Sequence, residues 1–435
     1  MRHTDVVMPS LLCLVLVNSA AVLADDAAQE SAPRVVNSPD VEEREATAQD
    51  PLDRGTLTGG FWDLSDELAS HGIEVTLGAT NVYQANVRNG LDTHQKSGRL
   101  SGSYDLEIAT DLEKLLGVAG LGLFVHGEGG WPDAEGIDEA MVGSVFGVNA
   151  DAGGDRSLDI VETFFEWNQA DGFLTLKVGK MDFAGVFDTS EYANDETSQF
   201  LNGALVNNPT IPFPDYCLGA IVSANLTDAW HVAAGMGDAE ADGGETGFRT
   251  TFHGPDYFFY ALETGFLAEL AAPQGPLPGN YRLGLWYDPQ PKAHSDSECE
   301  YRDDIGVYAS VDQMLLKEND NPEDGQGLGM FARYGYADEK RNDISGFWSI
   351  GVQCQGLVEG RDEDVLGLGV ASGIFGDCAN DSFKADHESV VELYYRVQAS
   401  RWMAISPGIQ YVSHPGGGRA TDDAVVVGTR AQIDF

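Results

Sequence analysis

Past residue 24 the chain has no run of about 18 to 20 apolar residues, so no helix of it can span a membrane. Bases are scarce: 25 Lys and Arg stand against 70 Asp and Glu, a formal net charge of −45. That balance argues against nucleic acid as a partner, because phosphates need cationic side chains. Cysteine is scarce too, with five in the chain, of which Cys13 lies in the N-terminal apolar segment. The other four, Cys217, Cys299, Cys354 and Cys378, make no CxxC pair and no Cys/His cluster, which speaks against zinc. The nine histidines are scattered. No Gly-x-Ser-x-Gly, HExxH or P-loop occurs, so no motif marks an enzyme and no cofactor is expected. Two segments imitate calcium loops and fail. "DNPEDG" (320–325) has Pro322 at its third position, and "DAEADGG" (238–244) has Arg249 where the closing Glu belongs.

Glycine, by contrast, is abundant, 52 of 435 residues. That is well above the usual ~7% and suits tight turns and a sheet that must bend. Residues 1–24 read as a signal peptide: Arg2, then the apolar "LLCLVLVNSAAVLA" (11–24), with Val22 and Ala24 as small residues before Asp25. Export of the remainder permits disulfides. Residues 25–56 are acidic and without apolar period, as in a flexible linker. "FWDLSDELASH" (61–71) predicts a short helix, with Phe61, Leu64 and Leu68 on one face and Gly72 ending it.

From Ile73 onward the period is two. In "YDLEIATDL", Tyr104, Leu106, Ile108 and Leu112 alternate with Asp105, Glu107 and Asp111. In "VVELYYRVQ", Val391, Leu393, Tyr395 and Val397 alternate with Glu392, Tyr394, Arg396 and Gln398. About sixteen such runs follow one another. Short connections (168–172, 225–228, 399–400) take turns with long polar ones (132–156, 183–215, 238–255, 289–303, 373–386). One end therefore has turns and the other loops, the layout of an all-β, antiparallel up-and-down barrel of about sixteen strands. Aromatics at strand ends on the apolar face, such as Tyr104, Tyr281, Tyr287 and Tyr411, suit a membrane interface. A charged inner face predicts a water-filled lumen with lipid outside. The last strand, "AQIDF" (431–435), must pair with the first to remove both edges.

The chain resembles the carbohydrate-selective outer-membrane porins, OprB type. The resemblance is carried by "LTGGFWDLSDELASHGIEV" (57–75), "VGKMDFAGVFDTSEYANDETSQFLNGAL" (178–205), "GLGMFARYGYAD" (327–338), "GLVEGRDEDVLGLGVA" (356–371), "SRWMAISPGIQYVSHPGG" (400–417) and "DDAVVVGTRAQIDF" (422–435). It implies one barrel domain over 57–435 in the outer membrane of a two-membrane bacterium, passing sugars by passive diffusion. A C-terminal strand ending in Phe435 resembles the signal read by the barrel assembly machinery.

On this topology residues 183–215 become the third external loop, which in porins commonly folds inward to narrow the channel. Its candidates are Asp188, Glu191, Asn194, Asp195, Gln199, Asn202, Asn207 and Asn208. Parity puts Lys177, Arg282, Arg333, Arg396 and Arg430 in the lumen, with Glu107, Glu162, Glu166, Glu263, Asp312 and Glu392. It adds the aromatics Phe124, Trp286, Tyr308, Phe331 and Trp402. Charged groups can bond sugar hydroxyls and rings can stack on the C–H face, while sites must stay weak enough to release what they bind. The same charges could instead pair across the lumen as struts. The acid surplus is either a solubilising surface or a cation-attracting mouth, which leaves a cation-preferring pore without sugar selectivity as the alternative. Alternation points Lys180 at lipid, unless a bulge at Gly179 turns it inward, the reading favoured here. A Cys299–Cys378 bridge between loops, another pair and free thiols are all open readings.

Overall fold

The computed structural model describes residues 54–93, 98–131, 136–154, 157–169, 172–252, 254, 256–293, 300–319, 321, 325–376, 386–417 and 421–435. The expected signal peptide, nearly all of the acidic segment, Cys299 and Cys378 lie outside them. Sixteen strands close into one antiparallel barrel in chain order. They are β1 Ile73–Gly90, β2 Gly98–Asp111, β3 Leu121–Gly130, β4 Asp159–Gln169, β5 Leu174–Met181, β6 Cys217–Thr227, β7 Trp230–Asp238 and β8 Phe258–Ala272. The second half is β9 Gly275–Asp288, β10 Asp304–Lys317, β11 Gly327–Tyr336, β12 Ile344–Gln355, β13 Val365–Phe375, β14 His387–Ser400, β15 Met403–Ser413 and β16 Asp422–Asp434. β16 pairs with β1 from Gly78↔Asp434 to Gly90↔Asp422, and the Phe435 amide donates to the Leu77 carbonyl at 2.9 Å. The chain's last residues therefore seal the sheet, and a closed sheet leaves no backbone edge to hydrate.

The period of two becomes two faces. Phe165, Leu262, Leu283, Tyr334, Ile350 and Leu393 all project outward and lie open on the outer wall, an apolar band of the kind lipid covers. Helix α1 (Gly59–Ser70) sits at the turn end, its first turn capped by Thr58, whose hydroxyl accepts from the Phe61 amide at 2.8 Å. Leu57 ties it to the closing strand through a 2.8 Å bond to the Asp434 carbonyl. Leu112, expected to continue β2, instead opens a one-turn helix, Leu112–Leu116. The Asp111 carboxylate accepts from the amides of Glu113 and Lys114 and so ends the strand.

The expected bulge at Gly179 is not there. β5 keeps unbroken register with β4 and β6 on either side of it. The irregularity lies in β4, between the pairs His126↔Glu162 and Gly127↔Ile160. Lys180 thus shares the outer face with Val178, yet is buried, donating to the carbonyls of Ile160 (3.1 Å) and Gly243 (2.8 Å). The segment 239–252 around Gly243 covers it, which spares the ammonium a lipid contact. Cys217 and Cys354 are free thiols, Cys354 half-buried on the outward side of β12.

The inner wall is less polar than alternation suggests. Towards the loop end two apolar cores pack against the inner wall. In one, Phe183, Phe187 and Ile211 of loop 182–216 pack on Phe164, Phe259 and Trp286. In the other, Phe200, Leu205 and Val206 of that loop meet Met141 and Val148 of segment 136–154 against Phe331, Phe347, Val390 and Val412 of the wall. Inward-facing apolar residues are the sites where a loop returns to cover them.

Candidate functional site: a loop anchored across the barrel interior

Loop 182–216 crosses the interior and is bonded to the wall at ten strands or more, among them β3 through Glu128 and β12 through Gln353. The sequence encodes this in two ways: bulky apolar residues that a solvated loop would not carry, and turn-forming Asp, Asn and Gly between them. From β4, Glu162 accepts from the Asp182 amide at 2.9 Å. From β8, Glu263 accepts from the Asp188 amide (2.8 Å) and the Tyr308 hydroxyl (2.9 Å). Arg282 of β9 donates to the Thr189 carbonyl (2.6 Å) and to Asp312 of β10 (2.8 Å), which also accepts from the Ser190 hydroxyl (2.6 Å). Arg333 of β11 donates to the carbonyls of Leu205 (3.0 Å) and Asp188 (3.1 Å) and to Asn194 Oδ1 (3.0 Å). Glu392 of β14 accepts from the amides of Leu201 and Asn202, each at 2.8 Å. Gln410 of β15 accepts from Asn202 Nδ2 at 3.0 Å. Arg430 of β16 closes the circuit on the carbonyls of Glu196 (2.5 Å) and Gln199 (2.8 Å).

Charge-assisted bonds to backbone groups are among the stronger ones available in a protein. They also satisfy loop amides and carbonyls that burial would otherwise strand. The loop is therefore built as a fixed partition. Asp188 turns the chain in the left-handed region, φ 55°. Its carboxyl is raised to about 7 by burial, against the pull of Arg333, whose Nε lies 3.6 Å away.

The predicted lumen residues divide into two groups. Glu162, Glu263, Arg333, Glu392, Arg430 and Asp188 are all inward or interior, but buried beneath the loop, so they act as struts rather than as pore surface. Trp286 is corrected in the same way: it is 0% exposed, stacked on Phe259 at 6.3 Å, and has no face for a solute. Trp402 is corrected too, since it sits in the two-residue turn between β14 and β15 rather than on a strand. The second group keeps some surface. Glu191 is exposed at the loop's inner turn, Asn194 and Arg282 are half-buried beside it, and Arg396 is half-buried on β14. Lys177 pairs with Glu166 at 3.3 Å.

Two further features were missed. Segment 136–154 of the preceding external loop also folds in, with Ala150 donating to the Leu201 carbonyl (2.8 Å) and Gly203 to the Gly147 carbonyl (3.0 Å). Glu388 holds it, accepting from the Val145 amide (3.0 Å) and the Ser144 hydroxyl (2.5 Å). The apolar residues Ile137, Met141, Val142 and Val148 were the available signal. Second, β1, β2 and β16 form with loop residues Glu196 and Thr197 an open recess lined by the carboxyls of Asp105, Glu107, Asp151 and Asp434 and by no Lys or Arg.

Comparison with known proteins agrees with this fold. The family model described as "Carbohydrate-selective porin, OprB family" matches residues 95–435. Porin B of Pseudomonas aeruginosa is 25% identical over 422 residues, covering 87% of this chain and 91% of that protein. A putative porin, QuiX, of Acinetobacter baylyi is 22% identical over 296 residues, 61% of this chain and 66% of its own. Among solved structures, the high-pH form of Pseudomonas putida OprB superposes with a TM-score of 0.76 at 21% identity, covering 88% of this chain and 99% of that one.

Proposed function

This chain belongs to the carbohydrate-selective porin family, OprB type, and from that premise we propose that it admits neutral sugars down their gradient past an eyelet framed by loop 182–216. The observation that carries this reading is the ring of wall side chains fixing the loop across the interior. A rigid partition can discriminate by size and by hydroxyl geometry, which a mobile loop cannot. Glu191, Asn194, Arg282 and Arg396 are the groups with surface to offer a passing hydroxyl. The gradient supplies the energy, and no covalent step is involved.

The loop end faces outward and the turn end faces the periplasm of a Gram-negative-type cell. Residues 1–24 direct export and are cleaved, 25–56 form an acidic linker, and 57–435 are the barrel. Outer-membrane lipid covers the apolar band, and the strand ending in Phe435 is the segment read by the assembly machinery.

A second reading is favoured by the acid-lined recess: a general pore preferring cations. Current through the refolded chain in a planar bilayer decides between them. Concentration-dependent block by some hexoses and not by others of equal size, weakened in Arg282→Ala and Glu191→Gln, supports the first. An open channel with cation preference and no sugar discrimination overturns it.

A further inference from the structure

Two of the histidines scattered along the chain meet in the fold. His387 opens β14 and His414 follows the end of β15. These strands pair from Ser389↔Ser413 onward, so both histidines lie at the loop end of the barrel. Alternation alone would send them to opposite faces: His387 is in step with the outward Val391, His414 with the buried Val412. The backbone at His414 breaks the alternation. Its φ is 55°, and its amide donates to Asp423 Oδ1 at 3.0 Å. A left-handed conformation is uncommon outside glycine and persists only where surrounding bonds hold it. The two rings lie 5.0 Å apart, centre to centre, at 65°. His414 is exposed and His387 half-buried.

The hydrogen bonds around His414 set its tautomer. The Ser413 hydroxyl donates its one proton to Asp423 Oδ1 at 3.2 Å. Its oxygen therefore accepts from His414 Nδ1, 3.1 Å away. That leaves the Nε2 lone pair free, the arrangement in which an outer carboxylate orients a metal-binding imidazole. The other Asp423 oxygen is taken by the Tyr411 hydroxyl. Glu388, next to His387, accepts from the Gly416 amide at 2.6 Å, so the two strand ends are already tied together. Two imidazoles bonded to one tetrahedral ion at ~2.0–2.1 Å hold their ring centres about 5 Å apart, as here. We propose that His387 and His414 bind a divalent metal ion of the zinc class on the outer rim. Among the described residues no group of three or more His, Cys, Asp or Glu gathers as a metal site, so water fills the remaining positions. Imidazole nitrogen selects zinc, nickel and copper over calcium and magnesium, which take oxygen ligands. The site is independent of what passes through the channel.

The test is calorimetric titration of the untagged, refolded chain with zinc chloride in detergent, in the presence of excess calcium. Calcium occupies sites that owe their affinity to the acid surplus alone. His387→Ala removes one ligand. His414→Asn removes the other and keeps a residue that tolerates the left-handed turn. Ser413→Ala breaks the link to Asp423 but leaves both rings. Heat-modifiable gel mobility confirms that each variant is a folded barrel. The expected result is one zinc bound in the micromolar range, lost in His387→Ala and in His414→Asn and weakened about tenfold in Ser413→Ala. Binding weaker than about 1 mM overturns the site. So does binding that calcium abolishes, or binding that persists unchanged in both histidine variants.

Discussion

Arg430, in the strand that closes the barrel, donates to the Gln199 carbonyl on the far reach of the inward loop at 2.8 Å, although 231 residues separate the two. One side chain thus links barrel closure to the position of the loop. The guanidinium is 1% exposed and takes the Glu196 carbonyl as well. Its planar set of donors suits paired carbonyls better than a point charge would.

Arg430→Ala should strand both carbonyls and free the loop's distal end. The expected loss is about 1–3 kcal/mol of barrel stability, the cost of buried groups left unbonded. Single-channel recordings should show a larger and noisier conductance. Wild-type conductance and noise in a folded variant would mean that the loop is held without this residue.

The interior loops should respond to pH. Burial raises the carboxyls of Asp138 and Asp188 to about 7 and those of Asp182 and Glu196 to about 8. In an unfolded loop the same groups ionise near ~4. The folded loops therefore hold more protons across about pH 4 to 8. Their contribution is fully present below about 4 and is lost as pH rises through 7 to 8. Amide exchange of segments 136–154 and 182–216, corrected for intrinsic rates, should be slower at pH 5 than at pH 8.5. Equal protection at both values would contradict the assignment.

Lys180→Met should detach segment 239–252 from the outer wall, because the bonds to Ile160 and Gly243 are lost while the aliphatic stem remains. A cost of about 1–2 kcal/mol is expected for two such bonds. Limited proteolysis should cut this loop faster than in the parent chain, with the sugar response unchanged. Unaltered cleavage would show that the loop is held by its other contacts.

Deleting Phe435 removes one bond to Leu77 from a barrel otherwise closed by the long β1–β16 register. Refolding into detergent should therefore be nearly normal, whereas the amount reaching the outer membrane in cells should fall several-fold. Parallel losses in both assays would make Phe435 a stability residue rather than an assembly signal.

Strand number, closure and the split into turn and loop ends were legible in the sequence, because alternation and connection length are local properties of a chain. So was the inward orientation of Glu162, Glu263, Arg333, Glu392 and Arg430. Parity names the face a side chain takes, but not what lies on that face. Only the tertiary structure decided that these residues meet a folded loop instead of water, that Trp286 is sealed beneath it, and that Lys180 is sheltered on the outer wall. The physical reason is that segments 136–154 and 182–216 bury apolar residues against strands far away in sequence. Which wall positions they cover depends on contacts across the whole barrel, and no period along the chain records them.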